Sequence, residues 1–163
     1  MKKLLGLLVL IPLLFACSQE INTATAASAQ PIHDHDRCHM CGMIIKNHPG
    51  PKGQTHLKGT TQNQSFCSTR DMFIFALQSE NKRQITDMFV HDMSKTGWDH
   101  PADSALIDAK TAWYVYGSNK KAAMGPAVAS FGNEASAQAF AQEYGGKVLR
   151  FEQITTELLT GSK

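Results

Sequence analysis

The stretch S-F-C-S-T-R-D-M-F-I-F-A-L, residues 65–77, predicts a short strand that passes directly into a buried helix. Ser68 is a typical helix N-cap residue, and Asp71 stands three residues later, where a capping acid is expected. A similar arrangement recurs 65 residues further on, where Asn133 follows an apolar strand and precedes a second helix. We therefore expect two similar strand–strand–helix–strand (ββαβ) units, packed as one compact α+β domain.

The other elements follow from apolar, β-prone runs bounded by turn residues. The first ββαβ unit is expected to span residues 37–103 and the second residues 104–163. Gly145 and Gly146 should end the helix that begins at Asn133. Strands are expected at Met43–Ile45, Gln54–Leu57, Ser65–Cys67, Ile85–Val90, Ala112–Tyr116, Val128–Phe131 and Lys147–Phe151, with a long loop at His91–His100 and a last helical turn at Thr155–Leu159.

The N-terminus has the pattern of an export signal. Two lysines precede an apolar run that is too short to span a bilayer as a stable helix. The junction L-F-A-C, residues 14–17, resembles the lipobox of bacterial lipoproteins, which implies a signal peptide at 1–16 and a lipidated Cys17. The alternative is an ordinary cleaved signal with an unmodified cysteine. Ser18 resembles the pattern for the outer membrane, and residues 17–36 should form a flexible tether that leaves the domain facing the periplasm.

Charge and composition exclude several classes of function. The formal net charge is +2, and loss of Lys2 and Lys3 with the signal peptide brings it to zero. A neutral domain does not predict a nucleic-acid partner or a polybasic membrane surface. The sequence also shows no Ser-His-Asp set, paired acids or phosphate loop, so we expect a monomeric binding protein rather than an enzyme.

The cysteines that would remain after lipidation of Cys17 are odd in number. If Cys17 carries lipid, then Cys38, Cys41 and Cys67 are left in a compartment where disulfides can form. Three thiols cannot all pair internally, so at least one has another role or is buried in the core. Cys67 is read as a small buried hydrophobe, and the alternative is a thiolate at the helix start near the Cys38–Cys41 loop.

Two thiols and two thioethers lie within C-H-M-C-G-M, residues 38–43. A thioredoxin-like pair would need a preceding strand and a following helix, and neither is predicted here. Structural zinc would need four ligands, and the chain has no second pair at zinc-finger spacing. Cu(I) prefers thiolate and thioether ligands and accepts imidazole. The pattern therefore favours a Cu(I) site made of Cys41, Met43, Cys38 and Met40.

Spacing within this loop supports the assignment. Cys41 and Met43 flank Gly42, which allows a tight turn with both sulfurs facing one ion. Cys38 and Met40 repeat the same spacing, so they are alternates, a second site, or a pair that accepts copper during transfer. A thiolate retains Cu(I), and a neutral thioether keeps the ion exchangeable, which suits a carrier.

Several motifs together resemble the NosL family. They are C-x-M-C-G-M at 38–43, H-P-G-P at 48–51, F-C-S-T-R-D-M-F at 66–73, M-G-P at 124–126 and A-F-A-Q-E-Y-G-G-K-V-L-R-F at 139–151. The resemblance implies a lipoprotein copper chaperone that delivers Cu(I) to apo nitrous oxide reductase, or to its assembly machinery, for the copper–sulfide centre. It also implies a fold of paired ββαβ units and a histidine ligand that the sequence does not identify.

Some alternatives stay open at this point. The candidate nitrogen ligands are His39, His48, His56 and His91. Each can instead be an ordinary residue of a turn or strand, or a side chain that faces solvent, with no metal bound. Arg70 and Asp71 are read as a local ion pair. Rival functions are an exported thiol–disulfide oxidoreductase that uses Cys38 and Cys41, and a general scavenger of soft metals.

Overall fold

The computed structural model describes residues 27–161 of the chain. The predicted signal peptide and Cys17 lie outside this range. None of the helices within 27–161 is both long enough and apolar enough to cross a membrane.

The first half of the described chain forms a four-stranded antiparallel sheet. Its strand order is β2-β1-β3-β4, and two helices connect β2 to β3. The first helix contributes Phe73 and Met72 to the core, both almost fully buried. The elements are β1 (Gly53–Leu57), β2 (Gln64–Phe66), α1 (Thr69–Ala76), α2 (Ser79–Lys82), β3 (Ile85–His91) and β4 (Leu106–Asp108).

The second half forms a three-stranded antiparallel sheet with the order β6-β5-β7. The first strand of this sheet lies between the second strand and the strand that follows the helix. In the first sheet, β1 lies between β2 and β3 in the same way. The α+β class is therefore confirmed. The elements are β5 (Trp113–Ala122), β6 (Gly125–Phe131), α3 (Glu134–Tyr144), β7 (Lys147–Arg150) and α4 (Thr156–Thr160).

Both predicted helix caps are present. The Ser68 hydroxyl accepts a hydrogen bond from the Asp71 amide at 3.1 Å, and Asn133 Oδ1 accepts one from the Ser136 amide at 2.9 Å. Each bond satisfies an amide of the first helical turn, which has no partner within the helix. The cap at Ser68 fixes Cys67 at the junction between β2 and α1.

One hydrophobic core joins the two sheets. Phe73 of α1 packs edge-on against Tyr114 of β5, with ring centroids 5.2 Å apart, and contacts Phe151 at 5.4 Å. Phe66, Val128 and other buried residues from both halves belong to the same cluster. Because α1 is shared in this way, the end of β2 is held rigidly against the rest of the domain.

Two features differ from the sequence prediction. Residues 43–45 form no strand, since only Ile44 makes an isolated bridge, to Arg37, and a 3₁₀ turn follows at Ile45–Asn47. Hydrogen bonds that Asn47 and His48 donate back to Ile44 and Ile45 curl the chain before it can pair as a strand. β4 lies beyond residue 104 yet pairs with β3, so the second sheet starts at β5.

The segment before Arg37 also departs from the flexible tether expected up to residue 36. Gln30 exchanges hydrogen bonds with the side chain of Gln54 at 2.9 and 2.7 Å. The Ile32 side chain is buried, and its amide donates to Asp103 Oδ2 at 3.1 Å. These contacts hold the chain against the first sheet before it enters the loop that contains Cys38 and Cys41.

Candidate metal site

Residues 37–44 form a closed turn, called here the thiol loop. The Cys38 amide donates to the Met43 carbonyl at 2.8 Å, and the Gly42 amide donates to the Cys38 carbonyl at 2.8 Å. Gly42 has a φ of 73°, in the left-handed region that side chains other than glycine rarely adopt. This reversal brings Cys38 and Cys41 onto the same side of the loop.

The thiol loop is fastened to β2. The His39 amide donates to the Ser65 carbonyl at 2.9 Å, and the His39 ring packs edge-on against Phe66 and Phe75, with centroids 5.9 and 5.0 Å away. Cys67 follows Phe66 directly, so the loop lies over the start of α1. His39 is thus a packing residue of the loop, with its ring in contact with the phenylalanines.

Four donor groups meet at this junction and are called here the thiol cluster: Cys38, Cys41, Cys67 and Asp71. One sulfur or oxygen from each lies within 4.8 Å of all the others. The Cys41 and Cys67 sulfurs are 3.5 Å apart, and Cys67 Sγ lies 3.1 Å from Asp71 Oδ2. Cys41 is exposed, whereas the other three residues are buried. The cluster therefore forms a site that is closed on its inner side and open at Cys41.

The three thiols differ in electrostatic character. The hydrogen bond from Cys67 lowers the pKa of Cys38 to about 5, which makes Cys38 the most acidic of the three thiols. Burial raises the pKa of Cys41. The pKa of Cys67 is raised first by its bond to the Cys38 sulfur, then by burial and by Asp71. The single Cys67 proton thus has two possible acceptors, the Cys38 sulfur and the Asp71 carboxylate.

The two methionines of the loop are placed differently. Met43 is half-buried and packs against the core cluster that includes Cys38 and Cys67. Met40 is 41% exposed, one of two large hydrophobic side chains among residues 27–161 that are this exposed. The structure thus packs one thioether against the hydrophobic core and leaves the other facing solvent.

No histidine of the described chain joins the thiol cluster. The rings of His56 and His91 have other partners, and His48 contributes its backbone carbonyl to a hydrogen bond. His48 is half-buried and its carbonyl accepts from the Lys52 side chain. His56 Nδ1 lies 2.8 Å from Asn63 Oδ1. His91 is fully buried at the end of β3, inside the range predicted as a loop, and its Nδ1 accepts from the Lys52 amide at 3.1 Å.

Sequence reasoning missed two members of the cluster. Cys67 was interpreted first as a buried hydrophobe, with a thiolate near the loop as the alternative. The structure buries it fully in the core and also places its sulfur beside those of the loop. Asp71 was read as the ion-pair partner of Arg70. The Arg70 guanidinium instead donates to the carbonyls of Met124 and Leu159, each at 2.8 Å, and Asp71 turns inward to Cys67. The odd thiol count was the available signal, because it required a role for the third cysteine.

The geometry argues against one of the three chemistries considered for the loop, the thioredoxin-like pair. No helix begins at Cys38 or Cys41, so the helix N-terminus that activates a thioredoxin-like thiol is missing from this part of the structure. Three sulfurs and one carboxylate are compatible with soft metals, and they also match the number of ligands that zinc requires.

Comparison with known proteins identifies the family. The NosL family model matches residues 29–159, which is most of the chain. The chain belongs to the NosL family. It is 44% identical over 146 residues to the copper-binding lipoprotein NosL of Stutzerimonas stutzeri, covering 90% of this chain and 76% of that protein. It is 34% identical over 161 residues to the protein of the same name from Achromobacter cycloclastes, covering 94% and 82%.

Solved structures agree with this assignment. The crystal structure of the copper chaperone NosL from Shewanella denitrificans superposes with a TM-score of 0.78 at 45% identity, covering 79% of this chain and 96% of that one. The solution structure of apo-NosL from Achromobacter cycloclastes gives a TM-score of 0.50 at 32% identity, covering 66% and 87%.

Proposed function

We propose that this chain is a copper chaperone that binds one Cu(I) ion in the thiol cluster. The convergence of Cys38, Cys41 and Cys67 within 4.8 Å is the observation that carries the proposal. Thiolates are preferred ligands of Cu(I), and the ion accepts low coordination numbers, so two or three sulfurs are sufficient. Related proteins of this family are described as copper-binding lipoproteins and a copper chaperone.

Cys67 joins the predicted ligand set in this proposal. Cys41 remains a ligand because its sulfur belongs to the thiol cluster, and Met43 remains one because it is half-buried in the same loop, two residues from Cys41. Cys38 is the thiol whose pKa is lowered, so it supplies its sulfur to the ion most readily as a thiolate. Met40 is exposed on the loop and is suited to receive or release the ion at the surface, where a second protein can reach it.

The openness of the cluster at Cys41 supports a carrier function. An ion enclosed by buried ligands on all sides would exchange slowly, whereas an exposed ligand allows a partner's sulfur or nitrogen to bind before the first bonds break. The chain catalyses no reaction in this scheme. The proposed recipient is apo nitrous oxide reductase or its assembly machinery, and the chaperone works as a monomer.

The proposed location follows from the lipobox. A lipidated Cys17 would anchor the protein to a membrane on the periplasmic side, with the outer membrane as the expected one. Because residues 30–36 pack on the domain, only the residues from 17 to about 29 would separate the lipid from the folded part. At about 3.3–3.6 Å per residue, these 13 residues reach at most about 47 Å.

Copper(I) binding tests the proposal directly. The reduced protein is titrated against the Cu(I) complex of bicinchoninate under nitrogen, and it should remove one equivalent of copper. The variants Cys67→Ser and Cys41→Ser should each lose most of this uptake. Protein that takes up no copper, or a Cys67→Ser variant with unchanged uptake, would contradict the proposal.

Two further measurements define the ligands and the metal. Met43→Leu should weaken Cu(I) binding, and Met93→Leu serves as its control because Met93 packs in the separate cluster around Phe131. X-ray absorption of the copper-loaded protein counts the sulfur neighbours. Competition among Cu(I), Zn(II) and Hg(II) then separates a copper carrier from a general soft-metal scavenger, since the scavenger would take up these ions with little preference for Cu(I).

A further inference from the structure

We propose that Cys41 and Cys67 are a thiol–disulfide exchange pair, whose oxidation closes the metal site. Their sulfurs are 3.5 Å apart, although the residues are 26 positions apart in sequence. A disulfide requires about 2.05 Å between sulfurs, so a movement of about 1.5 Å forms the bond. The effect of this bond on copper rests on the proposed function, whereas the bond itself does not.

Exposure assigns the order of events. Cys41 is exposed, and Cys38 and Cys67 are buried, with 2% and 0% of their surfaces accessible. A disulfide-containing oxidant can therefore reach Cys41 first. Cys67 lies directly beneath it and is placed to attack the mixed disulfide that forms. Cys41 is then the entry thiol and Cys67 the resolving thiol.

The chemistry is a balanced exchange with a disulfide, either of low molecular weight or in an oxidoreductase. Cys41 loses its proton and attacks one sulfur of the oxidant, which forms a mixed disulfide, and the sulfur that leaves takes up a proton as the first thiol. Cys67 then attacks the Cys41 sulfur, loses its proton, and releases the second thiol. The two cysteines lose two electrons and two protons, and the oxidant is reduced to two thiols.

Open space lies on the outer side of the loop next to Cys41, so nothing there blocks the small movement that this reaction requires. No atom outside its immediate neighbours lies within 4 Å of the position that a Cβ would take on Gly42. Cys38, in contrast, is held by two backbone hydrogen bonds and is buried in the core. The sequence motif Cys-x-x-Cys suggests pairing of Cys38 with Cys41, whereas the structure favours Cys67 as the partner of Cys41.

Disulfide mapping on the full-length protein tests the assignment. The reduced, metal-free protein is incubated with glutathione disulfide, free thiols are blocked with N-ethylmaleimide, and tryptic peptides are analysed by mass spectrometry. Cys38 and Cys41 share the peptide 38–46, so fragmentation must locate the maleimide, which we expect on Cys38. A bond between Cys38 and Cys41, or no internal bond at all, would overturn the proposal.

Variants make the result independent of peptide assignment. Cys38→Ser should still form the internal bond, whereas Cys67→Ser should stop at a glutathione adduct on Cys41. If Cys38→Ser abolishes the internal bond, the pair has been assigned wrongly. Circular dichroism of each reduced variant establishes that the fold is retained.

Copper uptake separates this inference from the proposed function. Oxidised wild-type protein should bind Cu(I) more than about 100-fold more weakly than reduced protein, because loss of two sulfur ligands exceeds the 10- to 100-fold effect of losing one supporting partner. Dithiothreitol should restore binding. If copper uptake is unchanged after complete Cys41–Cys67 oxidation, the disulfide does not close the metal site, although the exchange pair itself would still be established. Reduced protein that binds no copper would refute the proposed function, while the mapped bond would still stand.

Discussion

Asp71→Asn should weaken Cu(I) binding while leaving the fold in place. Asp71 Oδ2 is 3.1 Å from Cys67 Sγ, and the carboxylate is buried, so it orients this thiol and accepts its proton. Partners that orient metal ligands typically contribute 10- to 100-fold to affinity. We therefore expect a loss of about 10- to 100-fold, which corresponds to about 1.4–2.7 kcal/mol.

The same substitution should have a small effect on the apo protein. The hydrogen bond between the Asp71 amide and the Ser68 hydroxyl involves the backbone of Asp71, and asparagine retains it. Loss of a negative charge in the first turn of α1 should cost about 0.3–1 kcal/mol. Urea denaturation of the reduced, metal-free protein measures this change in the free energy of unfolding separately from the copper affinity.

The assay is competition for Cu(I) with bicinchoninate at fixed pH, using Asp87→Asn as the matched control. Asp87 is half-buried on β3 and lies opposite His56 in the β1–β3 strand register. This position is at the end of β1 that is farther from the thiol cluster. The reasoning fails if Asp71→Asn and Asp87→Asn bind copper equally well. It also fails if Asp71→Asn is destabilised by several kcal/mol, because the lost affinity would then report unfolding.

Two further predictions concern stability, measured by urea denaturation. Gly53→Ala would place its Cβ 2.6 Å from the Met72 sulfur and 2.7 Å from the Met72 Cβ, and should lower the unfolding free energy by about 1–3 kcal/mol. Gly97→Ala, with open space around it, should change it by less than about 0.5 kcal/mol, and equal effects would contradict the packing. Burial lowers the pKa of His91 from 6.5 to about 4, so the unfolded chain takes up a proton at a higher pH than the folded one. The unfolding free energy should therefore fall by about 3 kcal/mol between pH 7 and 4, and a His91→Gln variant with an equally steep fall would refute this.

Local sequence determined the elements that depend on neighbouring residues. The caps at Ser68 and Asn133 each reach an amide three residues away, so a short motif contains all the information that the interaction requires. The repeated strand–cap–helix pattern likewise predicted two units of the same order. The family could also be identified, because its motifs are read in sequence order and need no contacts.

Tertiary structure alone decided which donors meet. Cys67 reaches Cys41 only because β1 and β2 pair antiparallel, α1 packs into the shared core, and the His39 amide binds Ser65. Each of these contacts joins residues that are distant in sequence, and their free energy depends on the packed core rather than on local pattern. The composition of the loop thus established a preference for soft metals, and the fold supplied the third thiol and the buried carboxylate that complete the cluster.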